Sequence, residues 1–477
     1  MGIMRVIKFF ILFFMFSLLG FSQDSSQKLE SNFNIEFVEH KVKRKQTLYT
    51  ISKLYDVPIN LIKKYNPLIK GDKISKKMVL KIPFITTTVL EQSLKEVVEK
   101  VLVSTKKNQN LLDSIPKKKS IKFGFIAPFN LDKIEIDSIE NTKKYLEKLN
   151  LSTLSLDFYS GTLSALEIIK KLGIKIHVDI YDNKNSIEEI DKISNNKNIN
   201  SYDFILGPFI PRNINRLSLN LKDSKTPIVS PLTSKKIELN KNVFQSIPTI
   251  QSQRELMYAH VDSLITKDPD PCVMIIYNTS TEQVKEELLK RFPYAELIDT
   301  DLTLGLVDPE ITDSLLVEQK NNLVFLESQN LNVITSVSSL LNSQISKERN
   351  INLLSTYRSE TYENENISYQ QLGNLNFTYP SYFLPNYGDE LNELNEFFIE
   401  NFGKLPNKIA IRGYEITLDL MLRIAHRRKL VKSIDLGETK YYQNRFNYKN
   451  KGQGYINESI LLIKHDNLEV SEIPSEK

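Results

Sequence analysis

Of the side chains in this 477-residue chain, those best suited to metal or nucleophilic chemistry are five histidines, His40, His177, His260, His426 and His465, and a single cysteine, Cys272. No two histidines stand four apart, as ligands on one helical turn do, so their spacing supports no metal centre. Cys272 opens the apolar run Cys272–Tyr277 and has no second cysteine to bridge to, which reads as a small buried hydrophobe. His177 falls on the polar side of an alternating run, with Lys175 and Asp179 against Ile174, Ile176, Val178 and Ile180, the place of an exposed strand residue. There is no Gly-x-Ser-x-Gly elbow or phosphate-cradling loop, and no carboxylate pair stands in a glycosidase or amidase context. The chain therefore reads as non-enzymatic, with no catalytic residue, metal or cofactor.

Residues placed for binding lie where short apolar runs stop. Phe204–Leu206 ends in Gly207-Pro208-Phe209, and Pro227–Val229 ends in Ser230-Pro231-Leu232-Thr233, with a crossover helix expected over 213–225. Such runs read as parallel core strands, and in open α/β sheets ligands sit outside the carboxyl ends of the strands. A first strand over 121–129, a helical face at Leu163, Leu166, Ile169 and Leu172 after Tyr159-Ser160-Gly161, and the alternating strand up to Asp182-Asn183 complete a doubly wound set. After Gln253 the pattern starts again. Strands are expected at 272–277, 323–326 and 351–354, a return crossing at 375–380, helices at 390–402 and 410–425, and a hairpin within 441–468 that completes the second set.

The length calls for two or three folded units. Lysine and arginine (63) nearly balance aspartate and glutamate (58) with no dominant basic block, so nucleic acid is not the expected partner. Residues 1–22 carry Arg5 and Lys8 ahead of an apolar run and then Gly20-Phe21-Ser22, the pattern of a cleaved signal peptide. That run is too short for a stable membrane span, and the expected location is the periplasm or cell envelope. Residues 85–120 read as a linker: Val89, Leu90, Leu94, Val97, Val98, Val101 and Leu102 make one apolar stripe of a helix, and Ser104–Asn110 and Pro116-Lys117-Lys118-Lys119 are polar and flexible in composition.

The stretch from His40, HKVKRKQTLYTISKLYDVPINLIKKYNP, followed by ISKKMVLKIP, resembles a LysM domain, here residues 36–84. The resemblance implies a βααβ fold that binds the N-acetylglucosamine-containing glycan of peptidoglycan in a groove between two loops. Carried over, the glycan-binding residues are Gln46, Thr47, Leu48 and Tyr49 on one loop and Asn66, Pro67, Leu68 and Ile69 on the other. The family's usual Gly-Asp before Thr-Leu is Lys45-Gln46 here, and Lys77 stands where a glycine usually precedes the last strand.

Residues 121–470 resemble type I periplasmic binding proteins of the Leu/Ile/Val-binding kind. The resemblance rests on Tyr159-Ser160-Gly161, Leu206-Gly207-Pro208, Ile228-Val229-Ser230-Pro231, residues 244–253 and residues 406–415. It implies one lobe at about 121–246 and 377–432, a second at about 250–376 and 433–470, and three crossings near 246–253, 376–380 and 433–442. It also implies a cleft lined by Ser230, Thr233 and Ser234 from the first lobe and Tyr277, Asn278, Glu327 and Tyr357 from the second. Hydroxyls and helix N-terminal amides of such a set take a carboxylate and Glu327 an ammonium, as an amino-acid-like ligand requires. Two main functions stand. One is a non-catalytic cell-wall-associated protein that binds peptidoglycan through LysM and a small ligand or periplasmic protein partner through the receptor-like domain. The other is the solute receptor of an ABC transporter; a cell-wall hydrolase has the least support.

Overall fold

The computed structural model describes residues 36–43, 46–55, 62, 63, 65–67, 69, 74–84, 111–113, 116–135, 137–268, 270–300, 307–385 and 392–474. The expected signal peptide, and the linker stripe over 85–110, lie outside the described residues. Two compact units are present, divided after Lys107. No described helix is long and apolar enough to cross a membrane.

In the first unit, β1 (Glu36–Lys41) pairs antiparallel with β2 (Val79–Phe84), and Leu48–Tyr55 is a helix. Val42, Leu48, Ile51, Ile62, Ile69, Leu80 and Ile82 form its core. Lys77 has φ +73°, the left-handed conformation for which glycine is the unstrained residue.

The second unit contains two seven-stranded sheets. The first joins β3 (Ser120–Ala127), β4 (Lys175–Asp182), β5 (Phe204–Leu206), β6 (Ile228–Ser230) and β7 (Val243–Gln245) in the order β7-β6-β5-β3-β4, all parallel. Its far edge is a hairpin, β15 (Tyr448–Asn450) and β16 (Tyr455–Asn457), seated on β7. The second repeats the pattern with β8 (Cys272–Tyr277), β9 (Glu296–Asp299), β10 (Asn321–Leu326), β11 (Asn350–Leu354) and β12 (Thr378–Ser381) in the order β12-β11-β10-β8-β9. There β17 (Leu461–Asp466) adds antiparallel to β12, and β18 (Glu469–Glu472) antiparallel to β17. Each sheet reverses its winding between its first and third strands, β3 and β5 in one lobe and β8 and β10 in the other. These are the two expected doubly wound lobes.

The lobe boundaries differ from those read in the sequence. Residues 378–381 are the last parallel strand of the second lobe rather than a crossing into the first, so 377–381 leave the first lobe. The segment 433–457 belongs to the first lobe: the 3-10 turn Leu430–Leu436, β13 (Thr439–Lys440) and β14 (Arg445–Phe446) lie against the helix Lys408–Arg427. The third crossing therefore follows β16, at 457–461, instead of at 433–442. The polar stretch 441–468 makes two hairpins, one for each lobe, because the chain returns through the first lobe before ending in the second. Pro116–Lys119 is held rather than loose, since the amides of Lys117 and Lys118 both donate to the Ala425 carbonyl (2.8 and 2.9 Å).

Gly161 is in the middle of a helix, Leu151–Lys171, rather than ahead of one. That helix crosses Lys408–Arg427 at a glycine pair. A Cβ on Gly161 would stand 1.8 Å from the Ala410 carbonyl oxygen, and one on Gly413 2.1 Å from that of Phe158. The hydroxyls of Thr162 and Thr417 bond beside the contact (3.1 Å). Gly161→Ala and Gly413→Ala are each expected to destabilise the second unit by about 3 kcal/mol, although alanine favours helix by about 1 kcal/mol; urea midpoints measure this. Conversely, Lys77→Gly is expected to stabilise the first unit by about 0.5–1 kcal/mol, read as slower amide exchange over residues 74–84.

Candidate functional site

In the first unit the eight sequence-assigned residues divide by what holds them. The Gln46 side-chain oxygen accepts from the Lys43 amide (2.8 Å) and bonds His40 Nε2 (2.9 Å), which fixes the loop after β1. Asn66 is buried; its side-chain amide donates to the carbonyls of Ile62 and Lys81 (2.7 Å each) and its oxygen accepts from the Lys81 amide (2.8 Å). It clamps the second loop onto β2, so its side chain is not offered to a sugar. Leu48 (2 % exposed) and Ile69 (9 %) are core residues and cannot cover a sugar face. Thr47 and Pro67 are exposed, one on each loop. Leu68 and the side chain of Tyr49 lie outside what the structure describes.

In the second unit the crevice of the first lobe is the gap between the ends of β3 and β5. It is closed by main chain and rings. Gly207, at φ +103°, brings the end of β5 so near β3 that a Cβ there would stand 2.0 Å from the Ile126 carbonyl oxygen. Phe129 and Phe209 then pack into the lobe core against Phe125, Phe158 and Tyr159, with ring centroids 4.9–6.2 Å apart. Ser230 is wholly buried and its hydroxyl has no hydrogen-bond partner. Thr233 is buried, its hydroxyl accepting from the Lys235 amide (3.2 Å) and its carbonyl from the Gln245 side chain (3.2 Å). Ser234 alone of the three is partly exposed.

The second lobe differs. Tyr277, Asn278, Glu327 and Tyr357 all follow adjacent strands, β8, β10 and β11, so the structure does bring these four to one edge. Asn278 joins the β8 and β10 loops through Ser328 Oγ (3.3 Å). Glu327 is 3 % exposed; one carboxylate oxygen accepts from the Thr356 amide (2.7 Å) and the other from the Thr356 hydroxyl (2.9 Å). Burial pushes its carboxyl up to about 7, against the two Thr356 donors and the opposing pull of the Arg254 guanidinium. Tyr277 lies half-buried under the Lys285 ammonium, 4.9 Å from its ring.

The densest polar structure lies at the hinge, on Lys408–Arg427, and most of it escaped the sequence reading. Arg412 is buried (4 % exposed) and donates to the Pro231 carbonyl (3.3 Å), the Asn444 side-chain oxygen (2.6 Å), and the Ser246 carbonyl and hydroxyl (3.0 and 2.8 Å). One turn on, the Glu415 carboxylate accepts from the amides of Gln443 and Asn444 (2.9 and 2.8 Å) and the Asn444 side chain (2.6 Å); burial pushes its carboxyl up to about 7. Asp419 and Arg423 follow as a fully buried pair (2.8 Å), with Arg423 also donating to the carbonyls of Ser433, Gly437 and Phe446. These residues hold the connecting segments rather than a ligand.

Because the folded carboxyl of Glu327 titrates above its unfolded value of 4.5, its contribution is whole below pH 4.5 and is lost as pH rises through about 7. In Glu327→Gln the amide oxygen still accepts from the Thr356 amide and the amide nitrogen donates to its hydroxyl. From pH 4.5 to 8, the wild type is expected to lose about 3 kcal/mol relative to this variant, measured by urea unfolding across the pH series.

Comparison with curated proteins gave no match. Several solved structures are similar to the chain. One is a branched-chain amino acid ABC transporter periplasmic ligand-binding protein from Burkholderia xenovorans LB400, at 10% identity over 74% of this chain and 94% of that one, with TM-score 0.48. An ABC transporter substrate-binding protein from Desulfitobacterium hafniense, in complex with Leu, is 14% identical over 74% and 100%, with TM-score 0.42. An amino acid ABC transporter substrate-binding protein from Pseudomonas fluorescens Pf-5 is 10% identical over 74% and 95%, with TM-score 0.45. Within the first unit, where β1, β2 and the intervening helix are already described, residues 40–83 match the LysM domain family.

Proposed function

We propose that this chain is a non-catalytic, cell-wall-associated protein of the periplasm or cell envelope, delivered by a cleaved signal peptide. It holds the N-acetylglucosamine-containing glycan of peptidoglycan through its LysM module and a protein partner through its receptor-like domain. The observation that carries the reading is the LysM match at residues 40–83. Among the described residues of the eight, Thr47 and Pro67 are the exposed ones, one on each loop, which supports contact with a sugar there. Both folds are binding folds, which supports a non-enzymatic role.

A protein partner is preferred to a free amino acid because of the first lobe. A small zwitterion needs free donors at that crevice, and here Phe129 and Phe209 are buried in it while the Ser230 hydroxyl is sealed. The second reading is a solute receptor of the kind named for the similar structures. It draws on Glu327 as the carboxylate to meet an ammonium, and on Ser234 as the remaining first-lobe hydroxyl.

The full chain without its signal peptide is expected to sediment with purified sacculi, with a dissociation constant of about 1 μM to 1 mM, and the same chain lacking residues 36–84 to stay in solution. Equal sedimentation of both would end the glycan assignment. Free amino acids and muropeptides are expected to leave the melting temperature of the second unit unchanged. A compound that raises it, and does so less in Glu327→Gln, would establish the solute-receptor reading instead.

A further inference from the structure

The two lobes touch through charge as well as through the crossings. Lys408, at the start of the helix Lys408–Arg427, belongs to the first lobe by the packing of that helix against Leu151–Lys171. Its ammonium reaches Glu360 (2.8 Å) and Glu363 (3.0 Å) of the second lobe. Those glutamates lie on a 3-10 turn, Glu360–Glu363, whose Tyr362 is in the second-lobe core, so they move with that lobe. Arg358 holds Glu363 in place from behind (3.2 Å). A second pair crosses elsewhere: Arg445 on β14 donates from Nη1 to Glu472 on β18 (2.7 Å), and its Nη2 pairs with the other carboxylate oxygen.

Between these pairs the crossings are fastened to one another. The Ser246 carbonyl, on the first crossing, accepts from Arg412 (3.0 Å) and from Asn457 at the start of the third (3.0 Å). On the second, Phe383 forms a β-bridge with Asn444 and the Leu384 amide donates to the Gln443 carbonyl (2.7 Å). The Arg412 guanidinium also lies 5.9 Å from the Tyr382 ring centroid. A clamshell rotation would have to part Lys408 from its glutamates one helical turn away from a buried arginine that cannot follow.

We propose that Lys408, with Glu360 and Glu363, is an interlobe latch that keeps the receptor-like domain in one arrangement without a cleft ligand. The domain then offers a partner a fixed surface spanning both lobes, instead of a cleft that shuts on capture. This goes beyond the glycan assignment and is independent of it. Because the latch is partly solvent-exposed, salt weakens it.

The test is a distance measurement in the full chain, in a Cys272→Ser background, between spin labels at Lys133→Cys in the first lobe and Gln329→Cys in the second. One narrow distribution is expected without ligand. Lys408→Glu is expected to add a longer-distance population, and combining it with Glu360→Lys, which leaves Glu363 on Arg358, to restore the narrow one, with a thermal melt confirming that each variant is folded. A broad distribution in the unmutated pair, or a folded Lys408→Glu variant that keeps the narrow one, overturns the proposal. So does failure of the folded double variant to restore it. If Lys408→Glu does not fold, Lys408→Met, which keeps the aliphatic stem and drops the charge, is read in the same way.

Discussion

The receptor-like domain depends on one buried guanidinium. Arg412 has been taken out of water on a helix interior, and a buried charge is tolerated only where every donor finds an acceptor. Its acceptors are main-chain and side-chain oxygens at Pro231 in the loop after β6, at Ser246 on the first crossing, and at Asn444, which the second crossing meets through Phe383. Satisfying the arginine and positioning the hinge are thus the same requirement. Removing the side chain would take the guanidinium donor from the Asn444 side-chain oxygen and leave the Ser246 and Pro231 carbonyls to Asn457 and the Ser246 hydroxyl alone, which is why such a position is structural before it is anything else.

The same face of the helix continues the device. Arg412, Glu415, Asp419 and Arg423 are spaced three, four and four apart, so they form one row along the side that meets the segment 430–446. Glu415 organises the amides of Gln443 and Asn444, and Asp419 takes the hydroxyls of Thr439 and Tyr441 (2.6 and 3.2 Å). In a sequence such a row reads as a solvated charged face, because helical spacing does not distinguish a polar stripe facing water from one facing buried loop backbone. What marks it as buried is the irregular segment opposite, rich in main-chain groups that no sheet satisfies.

That distinction explains what the sequence revealed. Strand ends were legible because apolar runs stop sharply at Gly207-Pro208 and Ser230-Pro231, and local composition decides where a strand stops. The alternating run through His177 was legible for the same reason; it is an edge strand with that histidine exposed. The lobe membership of 433–470 was not, since two short hairpins of similar composition belong to different sheets and only long-range pairing assigns them. The burial of Ser230 and Thr233 in the first lobe was not legible for a third reason. A serine at a strand end offers its hydroxyl only if the neighbouring loops leave room, and the bulk after Pro128, Pro208 and Pro231 decides that from a distance in the chain. Leu48 and Ile69 were illegible in a like way, since a residue beside a loop of so small a module is also one of the few available to build its core.

The two lobes end up unlike each other at the place where ligands of doubly wound sheets sit. In the second lobe the crevice is polar, with Asn278, Ser328, Glu327 and Thr356 bonded among themselves and the Arg254 Nε buried without a hydrogen bond. In the first it is closed by aromatic rings. A clamshell receptor gains its closing energy by dividing one ligand between two such edges, each contributing contacts that the other lacks. When one edge has been absorbed into its own core, little differential contact remains for a small molecule to supply on closing. Holding the lobes together then falls to the protein itself, and the ion pairs of Lys408 and Arg445 stand where that work is required.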